Sequence, residues 1–169
     1  MQKTTLKIVR AGVIGALYIV LSLITFSFSG GAIQLRIAEG LTLLPLIYPE
    51  SIPALFVGCL IFNQISGLAL YDVLLGSLIT LVASIFTYLV GKFVHSKVLK
   101  IVLGGLFPVL LNAFFLPVIW LYFSGGLVYV YGLSVLSLII SQSISVYSVG
   151  TVIYLSLDRL RERHLRFLD

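Results

Sequence analysis

The stretch IVLGGLFPVLLNAFFLPVIWLYF, residues 101–123, contains no lysine, arginine, histidine, aspartate or glutamate. An α-helix of about 20 apolar residues crosses the hydrocarbon core of a bilayer, so this stretch predicts a membrane-spanning helix. The whole chain has the same character: 60% of its 169 residues are hydrophobic, 10% are charged, and the mean hydropathy is +1.16. Soluble domains carry about 25% charged residues. The composition therefore excludes a soluble globule and predicts an all-α integral membrane protein.

Further apolar stretches on both sides of 101–123 predict six transmembrane helices in a single domain, residues 1–169. Glycine pairs, the run YPESIP (48–53) and the basic linker 92–100 separate these stretches. Asp72 precedes the fourth stretch, where an aspartate suits the N-cap of a helix. The predicted helices cover about 11–28, 33–48, 52–65, 72–94, 101–123 and 131–157.

The positive charges predict the orientation of the bundle. Six spans place both termini on one side, together with the segments 49–51 and 91–100. Of the eleven basic residues, all but Arg36 fall in these segments, which is the positive-inside pattern of cytoplasmic segments. The net charge of +5 is thereby explained by topology and by attraction to anionic lipid, without a nucleic-acid partner. The basic residues concerned are Lys3, Lys7, Arg10, Lys92, Lys97, Lys100, Arg159, Arg161, Arg163 and Arg166.

Three ionisable residues, Arg36, Glu39 and Asp72, are left near the predicted outer ends of the helices. Arg36 and Glu39 are three positions apart, so they share a helix face and can pair. Ionisable groups at membrane depth are candidates for a functional site, and these three predict an outward-facing polar cavity. Two structural interpretations stay open: an Arg–Glu pair that fixes a loop, and a helix cap at Asp72.

Primary amides within the apolar helices form a second set of candidates. Asn63, Asn112 and Gln142 come from three helices and fall near a common depth. Each amide offers donors and an acceptor, which suits recognition of a heterocycle edge; the alternative is hydrogen bonding between helices. Trp120 belongs to an aromatic group at the outer helix ends, which fits either an interfacial belt or stacking on a planar ligand.

Helix one carries two pairs of small residues at four-residue spacing, Ala11/Gly15 and Gly12/Ala16. Such pairs permit close helix approach, either inside the bundle or against a partner membrane protein. The chain contains no GxxxxGK[ST], HExxH or GxSxG motif, and neither histidine has a second ligand at metal spacing. We therefore expect no enzymatic activity, catalytic residue, cofactor or metal, and any ATP hydrolysis would belong to partner subunits.

The segments AIQLRIAEGLTLLPLIYPESIPALFVGCLIFN (32–63) and LALYDVLLGSLITLVASIFTYLVGK (68–92) resemble the QueT family, substrate-binding S-components of energy-coupling factor (ECF) transporters for queuosine precursors. The family pattern is an Ile-Gln-x-Arg-x-x-Glu stretch, a proline-rich turn and an Asp-x-x-x-Gly stretch. Asn112-Ala113 also fits. The matching residues here are Ile33, Gln34, Arg36, Glu39, Asp72 and Gly76.

The resemblance implies a six-helix S-component in a bacterial plasma membrane, with a ligand site near the outer face. Small residues of helix one would dock onto a transmembrane scaffold (T) subunit driven by two cytoplasmic ATPases. The implied ligand is a 7-deazapurine such as preQ1 or queuine. The expected ligand contacts are Gln34, Arg36, Glu39, Asn63, Asp72, Asn112, Trp120 and Gln142, and the expected docking residues are Ala11, Gly12, Gly15 and Ala16.

The C-terminal half departs from the family pattern, which has Gly-Glu in the sixth helix where this chain reads Ser141-Gln142 or Gln142-Ser143. A carboxylate there would suit the aminomethyl cation of preQ1. A related base, an uncharged precursor, another vitamin-like molecule, or use of Glu39 or Asp72 as the anion all remain open. So do two other classes of protein, a small oligomeric channel and a secondary transporter.

Overall fold

The computed structural model describes residues 3–26, 36–124 and 128–166, and within these ranges the regular structure is helical throughout. The first predicted helix is confirmed and begins earlier than expected. The basic linker is shorter than predicted, because only 94–96 separate two helices. In chain order the elements are α1 (Lys3–Phe26), a 3₁₀ helix (Ile37–Leu46), α2 (Ser51–Ile65), a π turn (Asp72–Gly76) continuing into α3 (Ser77–Phe93), α4 (Lys97–Ser124), α5 (Val128–Ile144), a second π segment (Ser145–Gly150) and α6 (Thr151–Arg166).

Four helical runs in the described residues are long and apolar enough to cross a membrane. The 3₁₀ helix and α2 are shorter, at 10 and 15 residues. They reach about 20 Å and about 22 Å at their respective rises per residue, against a hydrocarbon core of about 30 Å. The all-helical class is thus confirmed for the described residues and is compatible with a membrane bundle, whereas six full spans remain a prediction. The long runs are Thr4–Phe26, Asp72–Phe93, Lys97–Phe123 and Tyr131–Arg161.

The 3₁₀ helix is the main departure from the predicted second α-helix, 33–48. Every residue from Ala38 to Leu46 is buried, and Pro45 lies inside the helix, where it cannot donate an α-helical hydrogen bond. Gly40 lies against Gly150 of the second π segment, so closely that a Cβ on Gly150 would be 2.6 Å from the Gly40 carbonyl oxygen. The helix is therefore held on all sides by its neighbours, and tertiary packing sets its winding.

Two ion pairs gather the predicted inner segments at one end of the bundle. Arg10 Nη1 lies 2.5 Å from Glu50 Oε1, joining α1 to the turn before α2. Lys97 Nζ lies 2.8 Å from Asp158 Oδ2, joining the start of α4 to α6. We call this the basic end. Its cytoplasmic location remains a prediction from the charge pattern.

Candidate ligand-binding cavity

A cavity of about 200 Å³ lies between α1, α2, α3 and α4. It is at the end opposite the basic end, because its lining includes the last residue of α1, Phe26, and Leu68 of the α2–α3 turn. The cavity is slightly larger than one of about 150 Å³ that holds benzene, so it fits a small fused-ring molecule. Five residues expected from the sequence to bind ligand line it: Arg36, Asn63, Asp72, Asn112 and Trp120.

Asp72 is held by Trp120 across the cavity wall. The Trp120 indole Nε1 donates to Asp72 Oδ1 at 2.8 Å. The helix-cap interpretation of Asp72 is wrong, because Leu70 and Tyr71 are already helical and no side chain caps the π turn. The π turn places the Asp72 carboxylate toward α4 rather than toward backbone amides. Among the described residues no partner binds the second carboxylate oxygen, Oδ2, which leaves it for a ligand.

Asn63 lines the cavity from α2 and is almost fully buried. Its Nδ2 donates to the Asp72 backbone oxygen at 3.4 Å and lies 3.6 Å from Cys59 Sγ. Its Oδ1 is buried and has no hydrogen-bond partner among the described residues. A buried acceptor without a partner costs about 1–3 kcal/mol, and a ligand donor would remove that cost.

Glu39 is buried behind the cavity rather than in its wall. Its Oε1 accepts a hydrogen bond from the Tyr18 hydroxyl at 2.8 Å, and its Oε2 accepts one from Asn112 Nδ2 at 3.3 Å. Within the described residues Glu39 and Arg36 form no ion pair, although they are three positions apart. The 3₁₀ winding and the competing partners separate their roles, since Arg36 lines the cavity and Glu39 holds Asn112.

Two further residues expected to contact ligand are not found in the cavity wall. Gln142 is 1% exposed, and in the described part of the chain neither polar atom of its amide has a partner, but it does not line the cavity. Gln34 lies outside the described residues. Both assignments therefore stay predictions, that of Gln142 from the set of buried amides and that of Gln34 from the family resemblance.

Several residues at the site were missed by sequence reasoning. Tyr18, Ser22 and Thr25 of α1 face inward at helical spacing, a polar stripe within an apolar helix that the sequence already contained. Phe26 and Phe62 meet edge to face, with ring centroids 5.8 Å apart, and both line the cavity. Their meeting depends on the α1–α2 packing, which no local pattern specifies.

The small residues of α1 divide into two faces. Gly15 is packed inside the bundle, since a Cβ there would lie 3.2 Å from the Ala54 oxygen of α2. Ala11 packs against the same core. Gly12 and Ala16 are exposed, and a Cβ on Gly12 would meet no atom within 4 Å. Only this second pair is open to a partner protein in the described structure.

Residues 8–159 match the family described as QueT transporter, which confirms the resemblance found in the sequence. Comparison with curated proteins and with solved structures gave no match to this chain. Within the described residues, no cluster of three or more histidine, cysteine, aspartate or glutamate side chains has the geometry of a metal site. The arrangement of one cation, one anion and two amides around a small cavity is suited to binding a polar molecule.

Proposed function

The chain belongs to the QueT transporter family, and from that premise we propose that it is the S-component of an ECF-type uptake transporter whose ligand occupies the cavity between α1 and α4. The observation that carries the proposal is the grouping of Arg36, Asp72, Asn63 and Asn112 around about 200 Å³ of space. Small-molecule sites combine apolar walls with a few convergent polar groups in this way.

A 7-deazapurine carrying an aminomethyl cation, a preQ1-like queuosine precursor, suits these groups. Phe26, Phe62 and Trp120 supply aromatic surface to a flat ring. Because the Glu39 carboxylate already accepts two hydrogen bonds, we assign the ligand ammonium to Asp72. The assignment also gives the ligand a carboxylate in the absence of the sixth-helix glutamate, because Asp72 supplies one from the π turn that leads into α3.

Transport then requires partners. We propose that a transmembrane T subunit and two cytoplasmic ATPases drive uptake in the bacterial plasma membrane. The exposed pair Gly12 and Ala16 supports docking on α1, because small side chains permit close helix approach. The basic end, with Arg10 and Lys97 among its ion pairs, would then face the ATPases.

A channel is the competing function, and the packing disfavours it. A pore requires a polar or wetted path over the full membrane depth. Toward the basic end, Leu43, Leu46, Val109 and Val146 form a buried apolar cluster, and Val109 lies about one helical turn before the cavity-lining Asn112 on α4. The cavity is thus closed below by packed side chains, as expected for a binding subunit.

Ligand-dependent thermal stabilisation of the purified protein tests the proposal. A 7-aminomethyl-7-deazaguanine probe at 100 times its Kd contributes about 2.7 kcal/mol, or a rise in Tm of about 5–10 °C for a chain of this size. Asn63→Leu should reduce the rise. The matched control Thr87→Val, which removes a hydroxyl bonded to the Gly104 oxygen away from the cavity, should keep it.

The outcome against the proposal is equally concrete. If no 7-deazapurine raises the Tm of the wild-type protein, or if Asn63→Leu and Thr87→Val behave alike, the cavity is not the ligand site. Ion conductance of the purified protein in planar bilayers would support the channel instead. Mass spectrometry of small molecules that co-purify with the protein identifies the ligand directly.

A further inference from the structure

Apart from Arg36, the polar groups around the cavity have committed most of their donors to the protein itself. We propose, building on the proposed function, that the cavity presents mainly hydrogen-bond acceptors and selects ligands by their donor edge. We further propose that buried Glu39 is a positioning residue: it holds the Asn112 amide with its nitrogen toward Glu39 and its oxygen toward the cavity.

Asn63 is oriented by its neighbours. The Asp72 backbone carbonyl can only accept a hydrogen bond, so the amide nitrogen of Asn63 must face it, as the 3.4 Å contact shows. The amide oxygen is thereby left without a protein partner. Asn63 lines the cavity, although this oxygen is buried among protein atoms, so a small rotation of the side chain would present it as an acceptor to a ligand N–H.

Asn112 is oriented by the pair behind it. Glu39 Oε2 accepts from Asn112 Nδ2, while Glu39 Oε1 accepts from the Tyr18 hydroxyl. Both Glu39 oxygens accept hydrogen bonds in this arrangement, so an inverted Asn112 amide would place oxygen against oxygen. The Asn112 oxygen is therefore the atom left for the cavity, which Asn112 lines and Glu39 does not.

The remaining polar groups continue the pattern. The Thr25 hydroxyl donates to the backbone oxygens of Leu21 and Ser22, and the Thr80 hydroxyl donates to Gly76 O or Cys59 Sγ. The Thr80 hydroxyl has a single proton, which it donates to the protein, so it offers lone pairs to the cavity. Asp72 adds a carboxylate oxygen.

Among the described lining residues Arg36 is the one cation, and its guanidinium, together with the hydroxyl of cavity-lining Ser22, supplies the donors for a ligand acceptor. The matching ligand therefore carries several donors and one acceptor: an exocyclic amino group, a lactam N–H beside its carbonyl, and a cationic arm. This pattern selects a guanine-type edge over a hypoxanthine-type edge, which lacks the amino group. It also excludes recognition through an adenine-type edge, whose ring nitrogen offers an acceptor where the lactam offers N–H.

The test compares two probes, 7-aminomethyl-7-deazaguanine and its counterpart without the 2-amino group, by calorimetric titration of the purified protein. We expect the wild type to bind the amino probe about tenfold more tightly or better, equivalent to about 1.4 kcal/mol. In Glu39→Gln the amide at position 39 can donate or accept, so the Asn112 amide can invert and the affinity ratio should fall several-fold toward one.

A compensating exchange separates orientation from simple structural support. The double variant Glu39→Gln with Asn112→Asp keeps the pair's charge and moves the donor to position 39. One carboxylate oxygen of position 112 then still faces the cavity, so the affinity ratio should return. Tyr18→Phe is the matched control, because it removes the other hydrogen bond to Glu39 and should leave the ratio unchanged. A merely structural Glu39 would change both affinities equally and leave the ratio intact.

Three results overturn the inference: a wild-type ratio near one, an unchanged ratio in Glu39→Gln, or no recovery in the double variant. If neither probe binds the wild type, the proposed function fails. The orientation of the Asn112 amide is then tested separately, by the melting temperatures of the ligand-free variants. Asn112→Asp alone should lower the Tm by opposing two carboxylates, and adding Glu39→Gln should restore it. A neutral effect of Asn112→Asp would show that the amide is inverted and the inference wrong.

Discussion

Replacing Gly150 by alanine tests the packing that positions the 3₁₀ helix and, through it, Arg36 and Glu39. The added Cβ would lie 2.6 Å from the Gly40 oxygen, 3.1 Å from Leu43 Cδ1 and 3.2 Å from Gly40 Cα. Two of these three atoms belong to the backbone, which cannot rotate away as a side chain does. The 3₁₀ helix must therefore move outward from the π segment by several tenths of an ångström.

The expected magnitude follows from two opposing terms. Overpacking of a tight core costs about 1–3 kcal/mol, whereas the higher helix propensity of alanine offsets up to about 1 kcal/mol. The net loss for Gly150→Ala is about 1–2 kcal/mol, or a fall in Tm of about 2–8 °C at this chain size. Gly12→Ala is the matched control, because its Cβ would meet nothing within 4 Å; its Tm should stay level or rise.

Thermal unfolding in detergent, followed by the fluorescence of the single tryptophan, Trp120, measures both variants. Since Trp120 lines the cavity, the same sample also reports ligand binding, which should weaken in Gly150→Ala. Equal melting temperatures for Gly150→Ala and Gly12→Ala would refute the proposed backbone contact. A normal ligand affinity in a destabilised Gly150→Ala would show that the 3₁₀ helix does not position the site.

Three further predictions concern charge, docking and topology. Asp72→Asn should weaken binding of 7-aminomethyl-7-deazaguanine about 10- to 100-fold, because a hydrogen bond to a charged group contributes about 1.5–3 kcal/mol. Calorimetry should show little change in affinity for the neutral 7-cyano analogue. If the affinities for both ligands fall equally, Asp72 is not the partner of the ammonium group. Gly12→Trp should abolish uptake in cells while the purified protein still binds ligand. Gly15→Trp should impair both uptake and binding, because its side chain would collide with α2. Retained uptake in Gly12→Trp would show that the T subunit does not dock at Gly12. In a Cys59→Ala background, Ser96→Cys should resist an impermeant thiol reagent in intact cells and react in inverted vesicles, and the reverse pattern would invert the topology.

Most residues of the site were predictable because polar side chains are rare in this chain. In a chain with 10% charged residues, a polar side chain within an apolar helix carries a large desolvation cost and so marks a special position. Arg36, Asn63, Asp72, Asn112 and Trp120 were expected on this ground or from the family pattern, and all five line one cavity.

The pairing of those residues was not predictable. Sequence spacing predicted a pair between Arg36 and Glu39. In the structure, Glu39 instead accepts hydrogen bonds from Tyr18 and Asn112, which are 21 and 73 positions away. Spacing describes neighbours on one helix, whereas a buried carboxylate takes whichever donors the neighbouring helices bring within reach. The Asp72 cap failed for the same reason, since α4 brings Trp120 to the carboxylate.

The sequence by itself determined the helical membrane class and the segments that share the basic end, since both follow from additive quantities: apolar length and charge distribution. Tertiary structure alone decided the winding of 37–46 and the boundary of the cavity. A 3₁₀ helix has poorer hydrogen-bond geometry than an α-helix, so nothing local favours it. It persists because Gly40 and Gly150 let two backbones meet, and that contact depends on residues more than a hundred positions apart.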